Sequence, residues 1–275
     1  MNDLLWSPSK DKIKKSELFK FCEVLERSNI VQINQNYQKL WKWSVEYPEK
    51  FWSTCWDLLK IKGEKGSRVI EANAIFYKTK FFPDAKLNFS ENILSKKDNT
   101  TAIHFRSENG FEKKINWKTL YENVCKFSAF YKTLNLKKGD CVAAYVPNNI
   151  ETIISFLACA KNGQIWSSCS PDFGIQGVVD RFFQIEPQVL IVADHYFYNG
   201  KKFNILDRVP EILKKIPTIK NVIVFPYGEE SVSHNYLSYE KIIDFLEKND
   251  FNILKTVKYT DIGIIHAKNN SKINK

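Results

Sequence analysis

The stretch C-V-A-A-Y-V, Cys141 to Val146, is apolar at every position and is bracketed by Gly139-Asp140 and Pro147-Asn148. A strand with one wet face alternates polar and apolar side chains, so an unbroken run fits a parallel strand covered on both faces. Helical spacing follows at once: Ile150, Ile153, Ile154, Leu157 and Ala158 share one side of a helix over 150–162, and Gly163 stands where a C′ glycine closes it. A second strand over 164–168 comes next, then a helix over 175–184 and the strand Q-V-L-I-V-A from Gln188. A helix over 206–215 and the strand N-V-I-V-F from Asn221 continue the pattern. Repeated βα units of this length predict an α/β doubly wound sheet.

Upstream, apolar periodicity predicts helices over 16–27, 36–46 and 48–59, with Pro48 suited to a first helical turn that needs no N–H from it. Trp41, Val45, Phe51, Trp52 and Trp56 then form an aromatic face, expected to pack against the main domain. From Thr101 the pattern turns strand-like. T-A-I-H-F-R and F-E-K-K-I flank Glu108-Asn109-Gly110, a hairpin signal because Asn-Gly tolerates positive φ. Asn116 is placed to cap a helix running to about 134, with Leu120, Val124, Phe127 and Tyr131 on one face.

With 275 residues, 44% hydrophobic and 26% charged, the chain is expected to form one or two globular domains. No apolar run approaches the roughly 20 residues of a membrane helix. The start, M-N-D-L-L-W-S-P-S, lacks a secretory signal, which places the chain in the cytoplasm. Its six cysteines are scattered without a C-x-x-C pair, against a metal site or a disulfide framework. The net charge of +10 comes from dispersed lysines rather than arginines interleaved with aromatics, so no nucleic-acid partner is expected. His104, His195, His234 and His266 lie far apart and beside no recognisable nucleophile, and no catalytic residue is assigned.

G-Q-I-W-S-S-C-S-P-D-F-G from Gly163 to Gly174, with V-V-D-R-F-F-Q-I-E-P ending at Pro187, resembles the acetoacetyl-CoA synthetases of the adenylate-forming acyl-CoA synthetase superfamily. Further strings follow that family's order: W-S-P-S from Trp6, Y-Q-K-L-W-K-W-S-V-E-Y-P-E-K-F-W from Tyr37, F-F-P-D-A-K-L-N-F-S-E-N-I-L from Phe81, K-K-G-D-C-V-A-A-Y-V-P-N-N-I-E-T from Lys137 and Y-F-Y-N-G-K-K from Tyr196. The resemblance runs to about residue 250. It implies a helical N-terminal extension over 1–80 and the N-terminal part of an AMP-binding domain, carrying part of its doubly wound sheet, over 81–255. Residues 256–275 form an atypical tail, read as an out-of-frame or truncated end.

The resemblance also implies the reaction ATP + acetoacetate + CoA to acetoacetyl-CoA + AMP + diphosphate, with Mg²⁺ beside the ATP phosphates. Acetate- and propionate-CoA ligases are the nearest alternative. Adenylation needs a Ser/Thr/Gly-rich loop whose backbone N–H groups hold phosphate, and no such string occurs here. The chain alone is therefore expected to be inactive, either awaiting a complementary C-terminal polypeptide or serving as a non-catalytic CoA-binding or interaction module.

Ligands of doubly wound sheets sit beyond the carboxyl ends of the strands, where Ser168 to Gly174 emerges. In the related acetate ligases the matching loop lines the CoA channel, and the carry-over falls on Ser170, Pro171, Asp172 and Phe173. The other reading is a tight turn that Pro171 and Gly174 only shape. Two arginines that hold the CoA 3′-phosphate follow the dipeptide matching Ala193-Asp194, and their places are taken here by Tyr198 and Lys201, with Lys202 adjacent. Lys binds phosphate as a point charge and Tyr carries no positive charge, so an exposed turn at Asn199-Gly200 is the competing reading. Arg181 and Glu186 are read as helix-surface residues, and no metal ligand is assigned.

Overall fold

The computed structural model describes residues 5–228 and 234–248. The chain forms two compact units, Met1–Lys86 and Leu87–Lys275.

In the first unit, α1 (Lys10–Lys14), α2 (Glu17–Arg27), α3 (Tyr37–Glu46) and α4 (Pro48–Leu58) follow one another. Each start has a local cause: Ser9, Ser16 and Asn36 accept from N–H groups of the opening turns, and Pro48 fills the first position of α4. Leu25, Ile33, Leu40 and Trp43 form the core, and the Phe51 ring stands edge-on to Trp43 at 5.8 Å. The expected aromatic face needs correction on α3. Leu40 and Trp43 are its buried residues, whereas Trp41 and Val45 are exposed, because the helix turns its 40/43 stripe toward Leu25 and Ile33. Beyond α4, β1 (Ile70–Glu71) and β2 (Lys80–Phe81) pair antiparallel, and Arg68 bonds both Asp84 and Glu71 beside them. Gly66 has φ +77°, and a Cβ there would fall 2.6 Å from that of Asp84.

The second unit opens with α5 (Phe89–Ile93) and the hairpin β3 (Thr101–Arg106) and β4 (Glu112–Asn116), where Gly110 takes φ +87°. Asn116 accepts from Thr119 N at 2.7 Å and starts α6 (Trp117–Thr133), which buries all of Leu120, Val124, Phe127 and Tyr131. Then come β5 (Cys141–Tyr145), α7 (Ile150–Lys161), β6 (Ile165–Cys169), α8 (Ile175–Phe182) and β7 (Val189–Ala193). A second hairpin, β8 (His195–Tyr198) and β9 (Lys201–Asn204), precedes α9 (Val209–Lys215), β10 (Asn221–Phe225), β11 (Leu237–Ser238) and α10 (Tyr239–Lys248).

The sheet runs β11-β10-β7-β5-β6, all parallel, as the unbroken apolar strands foretold. Alternate side chains feed two cores. Val142, Ala144, Ile191, Ile223 and Phe225 pack with α6, α7 and α10, while Ala143, Tyr145, Leu190, Val192 and Val224 pack with α8 and α9. After β5 the chain steps outward to β6, then crosses back to β7 on the other side of β5. That reversal opens a crevice at the carboxyl ends of the strands. The β8–β9 hairpin is legible beforehand only as a turn. The expected tail over 256–275 lies outside the described residues.

Candidate functional site

A cleft of about 370 Å³ lies at the carboxyl ends of β5 and β6, with β8 as a further wall. Its floor comes from the ends of the strands: Ser168 and Cys169 from β6, and Val146, Pro147 and Asn148 just after β5. Tyr196, Phe197 and Tyr198 of β8 and Tyr227 supply aromatic surface. Thr152, in the first turn of α7, is held by Asn149, whose side chain caps that helix.

Three of the loop residues expected from the sequence, Ser170, Pro171 and Asp172, line the cleft. Phe173 is not among the lining residues. Its N–H closes a tight turn on Ser170 O at 3.2 Å, and its ring lies under the Arg181 guanidinium at 4.1 Å, against Gly177. Arg181 also donates to Gly177 O at 2.8 Å, so this helix-surface residue clamps the end of the loop. The loop is both a tight turn and a cleft wall.

Tyr198 lines the cleft from β8, and hairpin register sets Lys201 directly across from it. Lys201 itself is exposed and not a lining residue. Asn199 (φ 50°) and Gly200 (φ 72°) make the turn, and the Glu108 carboxylate accepts from both their N–H groups, at 3.2 and 2.9 Å. A left-handed pair of amides facing an anion is a favourable small nest, here filled from the tip of the β3–β4 hairpin.

Buried Asp194 seats these aromatic walls. Its N–H donates to Phe225 O at 3.0 Å, and its Oδ1 accepts from His195 N at 2.7 Å and Tyr227 N at 2.9 Å, tying the ends of β7 and β10 to β8. His195 is buried beside the rings of Phe197 and Tyr227. Its Nδ1 stands 2.9 Å from Asp194 Oδ1 but outside hydrogen-bonding geometry, which suits packing rather than proton transfer. Burial pushes the Cys169 thiol up to about 12, so it is no nucleophile at neutral pH. Among the described residues no group of three or more His, Cys, Asp and Glu is arranged to hold a metal ion, and no helix is long and apolar enough to cross a membrane.

Sequence reasoning missed Tyr145 and Arg208. The Tyr145 hydroxyl donates to Phe173 O, while Arg208 donates to that hydroxyl and to the carbonyls of Phe173 (3.1 Å) and Pro171 (3.3 Å). One signal was available for Tyr145: a hydroxyl inside an otherwise aliphatic strand must find a partner.

The AMP-binding enzyme family matches residues 89–250, the span that carries the parallel sheet and the cleft. The chain belongs to the AMP-binding enzymes. Residues 37–93 also match the acetyl-coenzyme A synthetase N-terminus, so α3, α4 and the ribbon after them have counterparts as well. Among AMP-binding enzymes, the chain is 36% identical to the acetoacetyl-coenzyme A synthetase of Rhizobium meliloti (strain 1021) over 232 residues, 83% of this chain and 35% of that one. It is 35% identical to the acetoacetyl-CoA synthetase of Xenopus tropicalis over 228 residues, 82% of this chain and 34% of that one. The solved acetoacetyl-CoA synthetase from Streptomyces lividans superposes with TM-score 0.80 at 28% identity, covering 88% of this chain and 38% of that one. This AMP-binding chain thus spans about a third of the length of the relatives it matches.

Proposed function

We propose that this chain carries the CoA-receiving part of an acetoacetate-CoA ligase, the enzyme that joins acetoacetate to coenzyme A with conversion of ATP to AMP and diphosphate. The similarity to acetoacetyl-CoA synthetases across more than four-fifths of the chain carries this reading. In it, residues 1–80 are the helical extension and 81–255 the front of the AMP-binding domain, working in the cytoplasm.

The residues at the cleft fit a nucleotide-bearing thiol in kind. Tyr196, Tyr198 and Tyr227 offer flat rings, Ser168 and Ser170 offer hydroxyls, and Lys201 stands across the hairpin from Tyr198, where a phosphate at the mouth would meet a cation. ATP is another matter. The sequence contains no Ser/Thr/Gly-rich phosphate loop, so no adenylation step and no Mg²⁺ site is assigned to these residues. In this reading the phosphate loop is supplied from outside these residues, by a complementary polypeptide or by further sequence of the kind the longer relatives have. The match of 37–93 to the acetyl-coenzyme A synthetase N-terminus favours acetate or propionate as the second choice of acid.

Calorimetric titration of the purified chain with CoA and with dephospho-CoA tests the reading. CoA should bind, dephospho-CoA should bind more weakly, and Lys201→Ala should erase the difference. Absence of any CoA binding overturns the assignment. ATP–pyrophosphate exchange with acetoacetate should be absent, and robust exchange would show that the adenylation machinery lies within these residues after all.

A further inference from the structure

We propose that Arg208 is the positioning residue of the cleft wall: its guanidinium draws the carbonyls of Pro171 and Phe173 inward and so holds Ser170, Pro171 and Asp172 toward the cleft.

Arg208 ends a short 3₁₀ turn, Leu206–Arg208, which Asn204 starts by accepting from Leu206 N at 2.9 Å. Ile205 and Val209, on either side of that turn, are fully buried, so the turn is anchored in the core and Arg208 projects from a fixed base. Its Nη1 lies within hydrogen-bonding reach of three acceptors: Pro171 O at 3.3 Å, Phe173 O at 3.1 Å and the Tyr145 hydroxyl. Tyr145 is fully buried at the end of β5, and its hydroxyl donates its own hydrogen bond to Phe173 O. The loop is therefore gripped from beneath by a central strand and by a guanidinium arriving from 35 to 37 residues further along the chain.

The geometry has a directional consequence. Two carbonyls of one tight turn, at 171 and 173, point toward the same cation, and the residue between them, Asp172, lines the cleft. Without the guanidinium those carbonyls lose a charge-assisted partner in a half-buried site and gain by rotating toward water, which turns the loop. All three contacts come from one nitrogen held in the rigid guanidinium plane, whereas a lysine ammonium rides on a flexible four-carbon stem, so Arg208→Lys replaces a fixed donor with a mobile one. None of this depends on what the cleft binds. The consequence for CoA affinity rests on the function proposed above.

Amide hydrogen exchange across 170–174, with CoA titration in parallel, tests the role in Arg208→Met, Arg208→Lys and Tyr145→Phe. In Arg208→Met the Phe173 amide should exchange about tenfold faster or more, the size expected for losing one charge-assisted hydrogen bond, while exchange in β5 and β7 stays as in the parent. Arg208→Lys should recover only part of the protection. CoA should bind about tenfold more weakly to Arg208→Met, with the difference between CoA and dephospho-CoA unchanged, because the phosphate contact is elsewhere. If Arg208→Met does not fold, Tyr145→Phe removes one hydroxyl from the same junction and should give the same local rise in exchange. Unchanged exchange at Phe173 in the folded variants, or a rise spread equally over the sheet, overturns the proposal. Faster local exchange in a parent chain that binds no CoA leaves the positioning role standing and removes the CoA reading alone.

Discussion

Lys113 Nζ stands 2.8 Å from Glu151 Oε1, joining the β3–β4 hairpin to the first turn of α7. The two partners are unequal. The Glu151 side chain is 8% exposed and that of Lys113 is 47% exposed, so the carboxylate depends on this contact and the ammonium does not.

That asymmetry sets the order of two substitutions. Lys113→Met leaves a nearly buried carboxylate without its cation at the N-terminus of α7, whereas Glu151→Gln frees a lysine that water can solvate. Lys113→Met should cost about 1 kcal/mol more than Glu151→Gln, a modest figure because the pair is open to solvent on one side. Urea denaturation of both variants measures it, and equal costs would mean that Glu151 is satisfied without Lys113.

Asn88 does two jobs that one isosteric change separates. Its Oδ1 caps α5 by accepting from Glu91 N at 3.2 Å, and its Nδ2 donates to the carbonyls of Ala160 and Lys161, at 3.0 and 3.2 Å, at the end of α7. Asn88→Asp preserves the cap but sets a carboxylate against two carbonyl oxygens in a buried site. The loss should be about 2 kcal/mol or more at pH 7 and smaller at pH 4, where protonation restores a donor. Equal losses at the two pH values would count against this account.

Cys169 lines the cleft yet should be inert. Burial disfavours the thiolate and lifts the thiol to about 12, so at pH 8 the ionised fraction falls roughly a thousandfold below that of a free cysteine near 8.5. Alkylation with iodoacetamide followed by peptide mass mapping should leave Cys169 unmodified until the chain is unfolded. Rapid labelling in the native chain would show an open or charged environment instead.

The first unit should carry an acid-sensitive contact. Hydrogen bonding to Arg68 draws the Asp84 carboxyl down to about 2, and Ser67 adds a weaker bond. A folded-state value below the ordinary carboxylate range near 3.9 means that the contact stabilises above about pH 4 and is lost as pH falls toward 2. Asp84→Asn should flatten the acid-side dependence of the first unit's unfolding, followed by fluorescence of Trp43 and Trp56. A slope equal to that of the parent would assign the dependence to another group.

Much of this architecture was readable locally. Asn116, Asn36 and Pro48 open helices through bonds or omissions confined to one turn, and the apolar run from Cys141 is a both-faces-buried strand on its own composition. The α3 face was misread because Trp41/Val45 and Leu40/Trp43 both make helical stripes, and only Leu25 and Ile33 choose between them. The β8–β9 hairpin escaped because its strands have four residues each, too few for alternation to stand out around Asn199-Gly200.

The sequence by itself determined the βα alternation, the hairpin at Asn109-Gly110 and the loop Ser170 to Phe173, since each is written in contiguous residues and enforced by short-range sterics and hydrogen bonds. Only the tertiary structure decided that β7 pairs with β5 rather than β6, that Lys201 falls across from Tyr198, and that Arg208 meets Tyr145 across 63 residues. Those arrangements depend on how two cores pack against opposite faces of one sheet, and such packing couples side chains that no local pattern relates.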